Sequence, residues 1–231
     1  MMVLAFDTAT SSCAIVLWQD GEILAKAQET LERGHAEILV PMIEGVLAQA
    51  SLDYQNLDLI AVTIGPGAFT GIRIGLATAR SLALASNLPL IGVTNFEALV
   101  HGTPALERAG AKILVVLETK RADFYACLFD ENLAPVGTSK AVDVAGVLKM
   151  AGSGPLLLVG DAVERALPIF AEAKIEIKRS SGDPHVDPAI LAELAAKVYS
   201  ADGEMEPPLP LYLKPPDVNM SGVKPPTRIF K

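Results

Sequence analysis

The chain has 231 residues, of which 51% are hydrophobic, and this supports a substantial core in one large domain or two small ones. Its 19 basic and 27 acidic residues give a net charge of −8, so the chain as a whole lacks the positive charge that direct nucleic-acid binding requires. No secretory signal pattern and no apolar run of the ~20 residues that span a bilayer is found, so we expect a cytoplasmic protein without membrane association.

The first half of the sequence predicts a β-meander followed by alternating helices and strands, which is an α/β plan. Three strands are predicted at 2–6, 13–19 and 22–30, with Asp20-Gly21 as a hairpin turn. An i, i+3, i+4, i+7 pattern over 34–50 predicts an amphipathic helix that Pro41 distorts or restarts. The other elements of this half are strands at 57–64 and 88–93 and a helix at 71–86.

The second half partly repeats this order of elements without a repeat at the level of residues, so two related lobes are inferred from element order alone. Strands are predicted at 112–118, 123–129, 134–141 and 156–159, and helices at 95–101, 142–151, 162–173 and 187–199. Beyond Gly203 the chain is rich in proline, which predicts an extended or disordered tail. We therefore expect an N-terminal lobe at 1–94, a C-terminal lobe at 95–213 and a tail at 214–231.

A glycine-rich turn separates a buried strand from the next helix in the first half. Backbone N–H groups at a helix N-terminus bind anions, so phosphate binding is one interpretation. A Walker A loop would need a lysine that is absent here, and Gly65, Gly67 and Gly71 are spaced one residue too wide for the dinucleotide fingerprint. A looser phosphate loop with Thr70 and Arg73 stays open, but a turn that only reverses the chain is favoured.

The helix after this turn has one face of small residues. Gly71, Gly75, Ala79 and Ala83 are four residues apart, and this spacing lets another element approach the helix backbone closely. Periodicity alone favours packing of this face on the chain's own sheet or on the helix at 34–50. The alternative is a surface on which another subunit docks, burying apolar residues of the helix at 34–50, namely Ile38, Leu39, Met42, Ile43 and Val46.

Residues that carry chemistry are sparse. His35 begins a helical metal-binding pattern, but the residue one turn later is Leu39, whose aliphatic side chain coordinates nothing, so we expect no metal site. Asp7 ends the first predicted strand, where it either faces a cleft or caps the following turn. Cys13 and Cys127 lie in apolar runs, which predicts buried free thiols of a reducing compartment.

Five segments together resemble one family over nearly the whole chain. They are "LAFDTAT" at 4–10, "RGHAEILVPMI" at 33–43, "IGPGAFTGIRIGLATARSLA" at 64–83, "GVTNFEAL" at 92–99 and "PLYLKPPDV" at 210–218. In this order the sequence resembles the TsaB family, also called YeaZ. The resemblance implies a two-lobed actin-like ATPase (ASKHA) fold, as in Hsp70 and sugar kinases, in which each lobe is a mixed sheet with helices.

The resemblance also implies a function. Members of the family act in forming threonylcarbamoyladenosine on ANN-decoding tRNAs, as non-catalytic paralogues of TsaD, the transferase. TsaB pairs with TsaD through helices of the N-terminal lobe, an ATPase named TsaE completes the bacterial complex, and tRNA is reached only through that complex. By resemblance we expect the same face to form a homodimer in isolation, and we expect no cofactor.

Carried over by resemblance, two groups of residues are predicted to matter. The partner interface is predicted at His35, Ile38, Leu39, Met42, Ile43, Val46, Gly71, Gly75, Ala79 and Ala83. A vestigial nucleotide cleft is predicted at Asp7, Thr8, Gly65, Gly67, Thr70 and Arg73. The opening "DTATSSC" departs from the glycine-bearing phosphate loop of nucleotide-using relatives, and Glu118-Thr119-Lys120 stands where relatives usually have Asp-Ala-Arg.

The rival hypothesis is an enzyme, either a nucleotide-dependent phosphotransferase of the actin-like type or a glycoprotease-like hydrolase. It requires a nucleotide between the lobes that touches Asp7, Thr8 and residues 65–70.

Overall fold

The computed structural model describes residues 1–31, 33–199 and 206–214. Its first sheet contains β1 (Met2–Asp7), β2 (Ser12–Gln19), β3 (Glu22–Thr30), β4 (Leu59–Thr63) and β5 (Leu90–Val93). The spatial order is β3-β2-β1-β4-β5, in which β1, β2 and β3 pair antiparallel while β4 pairs parallel with both β1 and β5. Every residue of β1 and β4 is buried, which is typical of strands covered on both faces of a sheet.

Seven helices occur among the described residues, together with a 3-10 turn at Tyr54–Asn56. They are α1 (His35–Gln49), α2 (Phe69–Ser86), α3 (Asn95–His101), α4 (Ala105–Arg108), α5 (Val144–Ala151), α6 (Val163–Glu172) and α7 (Pro188–Val198). Three of these helices have a side-chain N-cap. Thr94, Asp143 and Asp187 accept hydrogen bonds from backbone N–H groups of the first turn of α3, α5 and α7.

The second sheet has the same connectivity as the first. It contains β6 (Lys112–Glu118), β7 (Phe124–Phe129), β8 (Lys140–Val142), β9 (Leu156–Val159) and β10 (Lys178–Arg179), in the order β10-β9-β6-β7-β8. The meander β6-β7-β8 is antiparallel and β9 lies parallel to β6 and β10. The two related lobes inferred from element order are therefore confirmed as two mixed sheets of matching topology.

Helices and sheets alternate in five layers. Helices α1 and α2 cover the side of the first sheet that is turned away from the second lobe, with Ile43 and Ile72 in the shared core. On its inner face lies α7, while α3 covers the inner face of the second sheet and contacts α7. The outer layer of the second lobe is α5 and α6, packed around Phe170. The predicted lobe boundary at residue 94 lies between β5 and α3. Helix α7 comes later in the chain but packs on the first sheet, so the predicted division of the chain into lobes stays a prediction.

Two sequence expectations differ from the structure. Pro41 neither ends nor restarts α1, which runs unbroken to Gln49. Pro41 has no N–H to donate to the Glu37 carbonyl, and both residues lie on the exposed side of the helix. Of the strand predicted at 134–141, only residues 140–141 belong to β8, and Pro135 makes a single antiparallel bridge to Phe129. The Asp130 carboxylate accepts the backbone N–H groups of Asn132 and Ala134 and thereby forms a turn before this bridge. The short α4, β10 and 3-10 turn were not predicted. Of the tail predicted at 214–231, all but Lys214 lies outside the described residues.

Candidate functional site

The two lobes enclose a cleft of about 760 Å³, a volume in the range of small-molecule sites. Its N-terminal wall is formed by the β1–β2 turn and the glycine turn, and its C-terminal wall by the β6–β7 loop and the end of β9. The wall segments include 9–11, 66–70, 117–121, 158–161 and residues 211, 212 and 214. Of the six residues predicted for a nucleotide cleft, Gly67 and Thr70 line it.

The glycines of the turn and of α2 accommodate the β1–β2 turn. A Cβ atom on Gly67 would fall on the carbonyl oxygen of Ala9, and one on Gly71 would fall on that of Thr8. A Cβ atom on Gly75 would lie 2.6 Å from the hydroxyl oxygen of Thr8. Two hydrogen bonds close the contact, since Ala68 N–H donates to the Ala9 carbonyl at 2.7 Å and the Thr8 hydroxyl donates to the Gly71 carbonyl at 2.8 Å.

Asp7 is buried below this contact rather than facing the cleft. Its Oδ1 accepts hydrogen bonds from the Thr63 hydroxyl at 2.5 Å and from the Ala9 backbone N–H at 3.0 Å, and its Oδ2 accepts one from Thr10. Burial raises the pKa of the Asp7 carboxyl, and the hydrogen bonds from Thr63, Ala9 and Thr10 oppose that shift. Of the two roles considered for Asp7, the structure favours the one that holds the turn.

Gly65 is buried, and Arg73 contacts two aromatic side chains. The Gly65 backbone N–H donates to the side-chain oxygen of Asn95, which ties the end of β4 to the start of α3. The Arg73 guanidinium lies 3.7 Å from the centroid of the Phe69 ring and donates to the Tyr212 hydroxyl at 3.0 Å. Arg73 does not itself line the cleft, and its guanidinium is engaged by two aromatic residues that do.

The opposite wall is held by one arginine. Arg165 donates from Nε to the Glu118 carboxylate at 2.9 Å, and its guanidinium lies 3.8 Å from the centroid of the Phe124 ring. The same guanidinium donates to three successive carbonyl oxygens of the β6–β7 loop, those of Arg121, Ala122 and Asp123. This loop is consequently a fixed part of the wall.

The end of β9 mirrors the end of β4. Gly160 has φ +113°, and a Cβ atom there would fall on the carbonyl oxygen of Val116, so only glycine fits. The following Asp161 accepts a hydrogen bond from the Glu118 backbone N–H at 2.9 Å, and burial raises the pKa of its carboxyl. Sequence reasoning missed Asp161 and Arg165. The Gly160-Asp161 pair directly after an apolar strand was the available signal.

His35 begins α1 and is nearly buried, with Nε2 lacking a hydrogen-bond partner. Leu39, one turn later, is 1% exposed and packs in the core of the first lobe. Within 1–31, 33–199 and 206–214, no three His, Cys, Asp or Glu side chains cluster as metal ligands. Both cysteines are buried free thiols, as predicted, and burial raises the pKa of Cys13 to about 12.

The residues predicted for the partner interface lie on α1 and α2 but mostly face inward. Leu39, Ile43 and Val46 are at most 1% exposed. The small residues Gly71, Gly75, Ala79 and Ala83 are also buried, against the chain's own first sheet and β1–β2 turn. This corrects the picture of a bare glycine-and-alanine strip on the surface, since it is the intramolecular packing that periodicity favoured. Ile38 and Met42 stay partly exposed.

The surface of this helix layer is formed by other residues of the same two helices, which we term the outer face. Its exposed members with small or aliphatic side chains are Ala36, Val40, Pro41, Gly45 and Ala48 of α1 and Ala77, Ser81, Leu84 and Ala85 of α2. Gln49 at the end of α1 is exposed as well, while the exposed Phe69 and Thr70 at the start of α2 line the cleft. Three of its charged groups bond within the chain, because Glu44 accepts from Tyr54, Arg73 donates to Tyr212 and Arg80 donates to the Pro208 carbonyl. The outer face is thus exposed, and its uncharged part consists mainly of small and aliphatic side chains.

No helix among the described segments is long and apolar enough to cross a bilayer.

Comparison with known proteins gives three kinds of match. Residues 23–158 match the family model of TsaD, tRNA N6-adenosine threonylcarbamoyltransferase. The chain is 35% identical over 135 residues to the tRNA threonylcarbamoyladenosine biosynthesis protein TsaB of Escherichia coli, a match that spans 57% of each chain. It is also 35% identical over 217 residues to an uncharacterized protein of Mycobacterium tuberculosis, covering 93% of this chain and 92% of that one.

Among solved structures, one described as an uncharacterized protein with similarity to peptidase YEAZ from Pseudomonas aeruginosa superposes with a TM-score of 0.73 at 23% identity. The superposition covers 92% of this chain and 99% of the other. Together with the matching topology of the two sheets, this confirms the predicted two-lobed actin-like fold.

Proposed function

Because this chain belongs to the TsaB (YeaZ) family, we propose that it is a non-catalytic subunit that binds and supports a TsaD-type threonylcarbamoyltransferase. The product of the complex is threonylcarbamoyladenosine on ANN-decoding tRNAs. The chain contributes binding energy and position, while the transfer takes place on the partner. In this proposal tRNA contacts the chain only within the complex, a TsaE-type ATPase joins it, and all of these encounters occur in the cytoplasm.

The observation that carries the proposal is the exposed outer face of α1 and α2. Val40 and Leu84 are aliphatic members of this face and are 43% and 86% exposed, and most of the other uncharged members are Ala, Gly, Ser or Pro. Exposed aliphatic side chains on a helix layer are typical of protein interaction sites when a partner covers them. Small side chains also let a second helix pair approach the backbone, which increases van der Waals contact. The same face forms the homodimer that we propose for the isolated chain.

The non-catalytic role is supported by the residue that α1 has at the second metal-ligand position. In TsaD, by the family resemblance, a helical His-x-Glu-x-His pair holds a metal, and here Leu39 stands at the second histidine position. The Leu39 side chain is part of the core, and the His35 imidazole beside it is nearly buried. A metal ion at this position would have one imidazole and an aliphatic neighbour, which does not meet the usual four-ligand requirement.

The enzyme hypothesis is kept as a second candidate because the cleft of about 760 Å³ is large enough for a nucleotide. Against it stand the hydrogen bonds that occupy both oxygens of Asp7 and the stacking of Arg73 on Phe69. Calorimetric titration of the isolated chain with Mg-ATP separates the two. Binding of Mg-ATP with turnover would support the phosphotransferase. A titration that shows no heat of binding would support the binding subunit.

The outer face is tested by two substitutions and one matched control. We expect Val40→Asp or Ala77→Glu to weaken association with the TsaD paralogue of the same organism by at least about tenfold, because a charge would be buried without a partner. Leu106→Asp is the control, since Leu106 is 95% exposed on α4 in the other lobe. Unchanged affinity of the Val40 and Ala77 variants, or an equal loss in the Leu106 variant, would contradict the proposal.

A further inference from the structure

The described residues 206–214, which we term the strap, lie extended along the first lobe. The Leu211 backbone N–H donates to the Ile64 carbonyl at 2.8 Å, and Arg80 on α2 donates to the Pro208 carbonyl at 2.6 Å. Pro208 also packs on Gly92 of β5, where a Cβ atom would lie 2.5 Å from the Pro208 ring. The strap is thus fastened to α2, to the end of β4 and to β5.

Further along, the strap makes an aromatic contact at the mouth of the cleft. The Tyr212 and Phe69 ring centroids are 5.0 Å apart, and Arg73 donates from Nε to the Tyr212 hydroxyl at 3.0 Å while stacking on Phe69. Tyr212 and Phe69 both line the cleft. Stacking combined with a charge-assisted hydrogen bond holds this part of the strap against α2.

The end of the strap reaches the second lobe. Leu213 packs against the apolar cluster shared by α3 and the second sheet, and the Lys214 ammonium pairs with the Asp123 carboxylate. Both side chains of this ion pair are largely buried, at 29% and 20% exposure. Asp123 is itself fixed, because its carbonyl accepts from Arg165 and its other carboxylate oxygen accepts from the Thr119 hydroxyl.

We propose that the strap is a latch that holds the two lobes at one angle and so sets the opening of the cleft. One segment is hydrogen-bonded to the first lobe at three points and ion-paired to a rigid loop of the second. The Lys214–Asp123 pair stands at the end of the segment, two residues beyond Tyr212. Loss of this pair removes the charged contact between the strap and the β6–β7 wall, and the lobes then open about the β5–α3 and β10–α7 connections that cross between them. This inference does not depend on the proposed function.

The latch is tested by the distance between spin labels on the two lobes of the full chain. Labels are placed at Lys26→Cys on β3 and Lys149→Cys on α5, both exposed, while the native cysteines are buried and escape labelling. In Lys214→Glu the ion pair becomes a repulsion. We expect a longer and broader distance distribution, with the closed-to-open ratio at least about fivefold lower.

Three further variants accompany Lys214→Glu. Lys197→Glu is the matched control, because Lys197 pairs with Glu193 on α7 outside the strap, and its distances are expected to stay unchanged. The exchanged pair Lys214→Glu with Asp123→Lys is expected to restore the closed distribution. If Lys214→Glu is poorly folded by circular dichroism, Lys214→Met replaces it. Distances in the Lys214 variant identical to those of the unaltered chain, or an equal opening in the Lys197 variant, would overturn the proposal.

Discussion

Asp7 combines a buried carboxyl with three hydrogen-bond donors of the β1–β2 turn and β4. Because burial raises its pKa in the folded chain, the folded state holds the proton more tightly than the unfolded chain does, whose Asp pKa is 3.8. The contribution to stability is therefore fully present below pH 3.8 and is lost as the pH rises through the folded-state pKa. This follows from the sign of the shift alone.

Replacing Asp7 by Asn removes that titration. We expect the free energy of unfolding of Asp7→Asn, relative to the unaltered chain, to rise with pH above 3.8 by up to about 1.4 kcal/mol per pH unit until the folded-state pKa is passed. Denaturant unfolding measured from pH 3 to pH 7 checks this. A difference between the two chains that is constant over that range would show that the carboxyl does not titrate as described.

The sequence allowed the roles of some single residues to be predicted and not those of others. His35 and Leu39 could be assessed because a helical metal site has a fixed spacing along the chain. Arg165 could not, because its partners in the β6–β7 loop and at Glu118 lie at least 42 positions away in the sequence. Tyr212 and Arg73 are separated by 139 positions, and an exposed tyrosine beside prolines carries no local signal of such a contact.

At the scale of elements, α2 meets the β1–β2 turn through backbone atoms. Gly71→Ala would place a methyl group on the Thr8 carbonyl oxygen, so the turn or the helix must move. We expect a loss of about 2–3 kcal/mol in the free energy of unfolding, typical of a forced fit in a tightly packed region. Urea denaturation measures it.

Gly45→Ala on α1 is the control for this substitution. A Cβ atom on Gly45 meets nothing within 4 Å, so the same change there is expected to stabilise the chain by up to about 1 kcal/mol through helix propensity. Equal effects of the two substitutions would contradict the assignment of Gly71 to a close backbone contact.

Helices with a clear apolar periodicity, such as α1 and α2, and strands that are continuous apolar runs, such as β1 and β6, were predicted to within a few residues. The strand prediction was too long at its start, because the Asp130 carboxylate holds a turn at 130–134 and the chain then makes only a single bridge, Phe129 to Pro135, before β8. The small face of α2 was recognised, but periodicity identifies a packed face and not the element that packs on it. The contact with Thr8 and Ala9 required the structure.

At the scale of the whole molecule, the duplicated sheet order followed from the order of elements in the sequence. Two features did not, namely the return of α7 to the first sheet and the path of the strap to Lys214. Both are long-range arrangements in which the local sequence is compatible with several partners. The outer face emerges only after the inward-facing residues of α1 and α2 have been assigned to the core.

The central claim is that the outer face of α1 and α2 contacts a TsaD-type partner, and site-specific photocrosslinking tests it most directly. A photoreactive amino acid placed at Val40 or Ala77 is expected to form a covalent adduct with the TsaD paralogue, and the same amino acid at Leu106, on the far lobe, is expected to form none. Adducts from Leu106 with none from Val40 and Ala77 would contradict the account.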